Sequence, residues 1–237
     1  MISLRITVIV LLFLIVSACN TTSSTSKESA NPTTAVKNQF TYLALGDSYT
    51  IGEMVEQHQS FPFRLASALA AKTDLNIATP RVIAKTGWRT DQLLDSITAV
   101  KEQYDLVSLL IGVNNQYQGK DIEVFTKEFK LLIEKAIGFS KTGKKGVFVY
   151  SIPDYSVMPF MRGKKVKKVS AEIKNYNAIS STVAQKMGVS FYNITPISQK
   201  AQYDSGLIAV DKLHPSGNMY ALWVSEFVEQ IISNQIR

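Results

Sequence analysis

The sequence predicts a three-layer α/β/α sandwich built on a parallel sheet. Two observations carry that prediction. Short β-branched and apolar runs alternate along the chain with longer segments of helical period. Strands separated by helices pair in parallel, with helices covering both faces. Apolar residues make up 46% of the 237, enough to fill a core on both sides of such a sheet.

The elements follow in order. Residues 41–45 form a β-type run stopped by Gly46, and residues 61–72 an Ala-rich segment of helical spacing. A second strand is expected at 81–84, then a helix capped by Thr90 and running to about residue 101. Residues 106–111 are the most apolar strand, ended by Gly112, and 121–139 alternate charged and apolar residues at helical period. A strand at 146–152 ends at Pro153, an amphipathic helix covers 169–187, and a short strand covers 189–192. The last helix runs to about residue 232, with Pro215 in its first turn. Each crossover should be right-handed.

In such sheets ligands bind beyond the carboxyl ends of the strands. The residues there are Gly46-Asp47-Ser48, Lys85-Thr86-Gly87, Gly112-Val113-Asn114 and Pro153-Asp154. They are small, polar and turn-forming, and the topology brings them to one edge.

The first forty residues read as address and tether. Arg5 precedes the apolar run 6–16, which suits a signal-peptide core and is too short for a spanning helix. Val16-Ser17-Ala18-Cys19 resembles the lipobox of bacterial lipoproteins. That resemblance implies a signal peptide at 1–18, lipidation of Cys19, and a cell-envelope location, the outer membrane in a host with two membranes. An ordinary secreted protein cut near Ala18 is the alternative. Residues 19–39 are Ser/Thr-rich and read as a flexible tether, which leaves 40–237 as the folded domain. Cys19 is the one cysteine, so no intrachain disulfide forms.

The formal charge is +7, and Arg162, Lys164, Lys165, Lys167 and Lys168 supply five of those charges in one short cluster. A solvated loop or helix start explains such a run, with a patch for anionic ligands or lipid headgroups as the alternative. No zinc-finger spacing or RNA-binding aromatic strand accompanies it, so nucleic acid is not expected as a partner. No metal-ligand cluster is visible either, and no cofactor is expected.

Serine needs a base within hydrogen-bond reach to act as a nucleophile. The sequence offers two histidines. His58 lies in the polar stretch Glu56-Gln57-His58-Gln59 and reads as a solvated loop residue. His214 has Asp211 three positions before it and Pro215 directly after. A carboxylate at that distance folds back in one turn to accept the Nδ1 proton, which turns Nε2 towards a serine. A mere helix entry is the competing reading of that motif alone. Gly87, Asn114 and the Ser48 N–H are candidate donors to an oxyanion.

Together, Gly46-Asp47-Ser48, Gly87, Gly112-Val113-Asn114-Asn115 and Asp211-Lys212-Leu213-His214-Pro215 resemble the SGNH (GDSL-type) hydrolases. The resemblance covers about residues 40–237. It implies a five-stranded flavodoxin-like sheet of order 2-1-3-4-5. It also implies Ser48 as nucleophile, His214 as base, Asp211 as its orienter, and Ser48, Gly87 and Asn114 as oxyanion hole. Tyr49 stands where the family has Leu, and Asn115 where it has Asp. The Gly-x-Ser-x-Gly elbow of α/β-hydrolases is absent.

Three functions are weighed: an esterase of small or lysophospholipid-type esters, a carbohydrate O-deacetylase, and a non-catalytic binding lipoprotein. The partners expected are a small-molecule, lipid or glycan ester and the membrane through Cys19, with the protein a monomer. Tyr155, Met158, Phe160 and Met161 are candidates to wall an acyl pocket, with a core-covering loop as the alternative. Trp88 either flanks the cleft or packs beneath a helix start. Few residues remain for a cap, so an open site for short acyl groups is expected.

Overall fold

The computed structural model describes residues 39–237. The leader, Cys19 and all of the tether except Gln39 lie outside the described residues. The five strands are β1 (Tyr42–Gly46), β2 (Arg81–Ala84), β3 (Leu106–Leu110), β4 (Val147–Tyr150) and β5 (Ser190–Tyr192). They form one parallel sheet of order β2-β1-β3-β4-β5, as expected. The register sets Gly46 opposite both Ala84 and Leu110. Those three strands therefore end together, and the segments that follow them emerge side by side.

The helices are α1 (Ser48–Ile51), α2 (Phe61–Lys72), α3 (Thr90–Ser96), α4 (Val113–Tyr117), α5 (Ile122–Phe139), α6 (Val166–Met187), α7 (Thr195–Gln199) and α8 (Gly217–Ile231). The right-handed rule puts α2, which links β1 to β2, on the opposite face from α3, α5 and α6, which link later pairs in the other direction. The packing agrees: α2 lies against α8, whereas α5 lies against both α3 and α6. Beneath α2 and α8, Phe61, Tyr150, Tyr220 and Trp223 interlock, with Phe61 and Tyr150 edge-on at 5.2 Å. Beneath α5 and α6, Phe125 stacks against Phe129 and Tyr176 at 5.4 and 4.5 Å. Strands β1, β3 and β4 are wholly buried, as a sheet covered on both faces requires.

Six elements differ from expectation, each for a local reason. Helix α3 ends at Ser96, short of residue 101. Beyond it, Thr98 and Val100 tighten into turns, and the Thr98 hydroxyl donates to the Asp95 carbonyl at 2.8 Å. The β-branched Ile97, Thr98 and Val100 are weak helix formers. Helix α6 begins three residues early, at Val166, so Lys167 and Lys168 belong to its first turn. Pro215 is not in the last helix. It pairs in a short antiparallel bridge with Ile208, and Ser216 caps α8 through the Met219 N–H. Helices α1, α4 and α7 were not expected, because four or five residues are too few to show a period. Among the described residues, no helix is long and apolar enough to cross a membrane.

Candidate active site

Ser48 opens α1 directly after β1, behind Asp47 as N-cap. The Asp47 carboxylate accepts the Tyr49 N–H at 3.0 Å. Gly46 is required by close approach: a Cβ there would overlap Thr50 Oγ1 and the Leu110 carbonyl, and would lie 2.9 Å from Thr50 Cβ. The chain thus turns sharply from strand to helix with the serine at the strand's carboxyl end.

The structure brings Ser48, His214 and Asp211 together. His214 Nε2 lies 3.0 Å from Ser48 Oγ, and Nδ1 lies 2.5 Å from Asp211 Oδ2. An ionised carboxylate only accepts, so Nδ1 carries the ring proton and Nε2 accepts from the serine hydroxyl. Asp211 also accepts the Leu213 and His214 N–H groups, both at 3.0 Å. Burial pushes the Asp211 carboxyl up, but its bonds to the His214 ring and to these two N–H groups outweigh that and hold it below its ordinary value.

The loop bearing His214 is fixed from two sides. Its carbonyl accepts the Ala209 N–H at 2.8 Å, and the Ser216 N–H donates to Leu207 at 2.9 Å. Tyr49 meets the imidazole edge-on, ring centres 5.8 Å apart. Burial, then the nearby Asp47, Tyr155, Asp154 and Asp211, push the Tyr49 phenol well above its ordinary value. The ring therefore serves as a neutral wall. Periodicity could not reveal that contact, since Tyr49 and His214 lie far apart in the chain.

Gly87 and Asn114 line the same cavity as Ser48 and His214. Gly87 has φ of +83°, which an L side chain disfavours, although open space surrounds the position of a Cβ. Among the described residues, neither the Ser48 nor the Gly87 N–H pairs with an acceptor of the chain. Asn114 Nδ2 donates one proton to the Trp88 carbonyl at 3.0 Å. That bond orients the amide and leaves its second proton for a ligand. The Trp88 side chain packs against the core and does not line the cavity.

Asn115 is buried and joins α4 to α3. Its Oδ1 accepts the Thr90 N–H at 3.1 Å, and its Nδ2 donates to the Thr90 hydroxyl at 2.6 Å. The hydroxyl donates onward to Glu128 on α5. An amide at this position thus turns the threonine hydroxyl outward to a carboxylate, and the loop carrying Asn114 stays anchored.

The cavity holds about 200 Å³. Beyond the polar groups, Tyr49, Val113, Tyr117, Tyr155, Phe160 and Leu213 line it. Two of the four residues expected to wall an acyl pocket do so. Met158 and Met161 point elsewhere: they are buried and line a separate groove, because tight turns at 155–157 and 159–161 send neighbouring side chains to different faces. Tyr117 and Leu213 were not foreseen. His58 is exposed and faces Glu56 at 3.4 Å, and it does not line the cavity. Among the described residues, no three His, Cys, Asp or Glu side chains gather as a metal site would need.

Residues 44–222 match the model of the GDSL-like Lipase/Acylhydrolase family. No curated protein matches the sequence. The fold is similar to that of TesA, with a TM-score of 0.63 at 16% identity over 83% of this chain and 99% of that one. It is similar to Axe2, an acetylxylan esterase from Geobacillus stearothermophilus (TM-score 0.62, 16% identity, 85% and 99% covered). A member of the lipolytic G-D-S-L family from Veillonella parvula gives a TM-score of 0.60 at 16% identity, with 80% and 97% covered. The match spans most of the chain and includes Gly46-Asp47-Ser48 and the Asp-x-x-His turn, and so the chain belongs to the GDSL-like lipase/acylhydrolase family and is an ester hydrolase of that class.

Proposed function

We propose that the protein is a serine esterase that cleaves carboxylic esters of short acyl groups through an acyl-enzyme on Ser48. The observation that carries the proposal is the continuous chain from Asp211 through the His214 ring to Ser48 Oγ, at 2.5 and 3.0 Å, opening into an apolar cavity. His214 takes the Ser48 proton as Oγ attacks the acyl carbon. The negative charge then forming on the carbonyl oxygen meets the Ser48 and Gly87 N–H groups and the free Asn114 proton. The imidazolium returns its proton to the departing alcohol. Water, deprotonated by the same ring, then releases the acid. Asp211, held ionised, keeps the ring in register throughout.

The size of the cavity argues for a short acyl group. About 200 Å³ lies below the 300–1,000 Å³ typical of pockets that enclose drug-sized ligands. Its lining of Val113, Tyr155, Phe160 and Leu213 favours an alkyl chain over a polar one. Hydrolysis of nitrophenyl esters of rising chain length tests this: kcat/KM should peak at short chains and fall for long ones. A clear preference for long chains contradicts it.

A carbohydrate O-deacetylase is the second reading. Tyr117 favours it, as an aromatic ring 61% exposed at the cavity, placed to stack on a sugar. Acetate release from acetylated xylan or peptidoglycan, set against fatty-acid release from a lysophospholipid, separates the two. For location, the proposal is an envelope protein lipidated on Cys19, supported by the small residues before that cysteine. Mass spectrometry of the mature N-terminus tests it.

A further inference from the structure

Residues 39–237 hold 23 Lys and Arg (26 less Arg5, Lys27 and Lys37) against 18 Asp and Glu (19 less Glu28). The difference of five equals the five cations of Arg162, Lys164, Lys165, Lys167 and Lys168. The rest of the domain is balanced, so this one segment carries its entire formal excess. All five side chains are exposed. Among the described residues, only Lys168 of the five has an acid partner, Glu172 at 3.6 Å. Three of them occupy the N-cap and first turn of α6, which contains no acid. Cations there oppose the helix dipole. Lys168 pairs with Glu172 and Lys164 sits on the Phe160 ring, but Arg162, Lys165 and Lys167 have no acid partner among the described residues, which points to a ligand outside the chain.

Apolar side chains are interleaved with the charges. Val166, between Lys165 and Lys167, is 39% exposed, and Tyr203 is 87% exposed. Arg162, Val166 and Tyr203 share a groove of about 580 Å³ with Met158, Pro159 and Ile208. The same segment borders the catalytic cavity. Phe160 lines that cavity, Lys164 Nζ sits 3.3 Å from the centre of its ring, and the Phe160 N–H donates to the Lys212 carbonyl at 3.0 Å. Lys212 is itself exposed, and Val210, two residues before it, is 86% exposed.

We propose that this face docks on an anionic phospholipid bilayer, with the cations among the headgroups and Val166 and Tyr203 at the acyl boundary. Charge complementarity selects an anionic surface, and the interleaved aliphatic and aromatic side chains select a bilayer over an acidic polymer. The inference is independent of both the esterase reaction and the lipid anchor, since it concerns a contact made by the folded domain itself.

The test uses the full chain with Cys19→Ala, which removes its one cysteine, and Gln202→Cys, which places an environment-sensitive dye in the groove. The dye in the groove reports this face alone, whatever the leader contacts. Vesicles of phosphatidylglycerol and phosphatidylcholine should shift its emission to the blue, and phosphatidylcholine alone should not. Combining Arg162→Gln, Lys165→Gln and Lys167→Gln should raise the half-saturating lipid concentration roughly a hundredfold, from about fivefold per charge. That variant should still hydrolyse a soluble ester at the wild-type rate. An equal shift on neutral vesicles, no shift on anionic ones, or an unaltered response of the triple variant would overturn the proposal.

Discussion

Replacing Asn114 with Ala removes the one oxyanion donor of the site that is a side chain. Its Nδ2 spends one proton on the Trp88 carbonyl at 3.0 Å and holds the other free in the cavity beside Ser48. The two losses have different sizes and different readouts. Loss of a preorganised donor costs about 2.7–4 kcal/mol of transition-state stabilisation, or about 10²–10³ in kcat. Loss of the bond to Trp88 costs about 0.5–1.5 kcal/mol of stability, and less if water replaces the amide at this half-buried position. The assay is steady-state hydrolysis of a nitrophenyl acetate beside a thermal melt. A drop in kcat of two to three orders, with KM nearly unchanged and Tm lowered by a few degrees at most, is the expected pattern. A kcat within threefold of wild type would refute the reasoning, since the remaining N–H donors would then suffice. A large fall in Tm would assign the residue to the fold instead.

Burial pushes the Asp47 carboxyl up to about 7, against the hydrogen bonds from Tyr49 and from its own backbone. Its folded value exceeds its unfolded one, so its contribution favours the fold at acid pH and is lost as pH rises from about 4 to 7. In Asp47→Asn, a Tm-against-pH profile should lack that decline while the rest of the curve is kept. Asp105 behaves in the opposite sense. Burial raises its carboxyl, but Lys141 at 2.8 Å and the Thr41 N–H and hydroxyl outweigh that and lower it. Its stabilisation is present above about pH 4 and fades as pH falls through the lowered value, so Asp105→Asn should reduce Tm at pH 7 and match wild type in acid. Gly46→Ala should cost about 1–3 kcal/mol or more, read by chemical denaturation, because the added methyl overlaps Thr50 and the Leu110 carbonyl.

Much of this site was legible in the sequence because its parts sit where local rules are strong. An apolar run stopped by Gly46 gives a strand end, and the register with Ala84 and Leu110 then decides that Ser48, Gly87 and Asn114 meet. Asp211 and His214 lie within one turn of chain, so their pairing needed no tertiary knowledge. What escaped depends on contacts between distant residues. The Asn115–Thr90–Glu128 relay crosses three helices, and Tyr49 becomes the wall of His214 only once α1 folds against the last loop. Met158 and Met161 share a segment with Tyr155 and Phe160, yet tight turns alternate the faces they reach, which composition does not encode. The early start of α6 was hidden because lysines in a first turn contradict the usual dipole preference.

Ser48 Oγ, 3.0 Å from His214 Nε2, owes its nucleophilicity to that ring. Intact-protein and peptide mass spectrometry after treatment with a serine-directed fluorophosphonate tests it most directly. A single adduct is expected on the peptide containing Ser48, abolished by Ser48→Ala and slowed by several orders of magnitude in a folded His214→Ala variant. A folded wild-type protein that stays unlabelled, or a His214→Ala variant labelled at the wild-type rate, would contradict it.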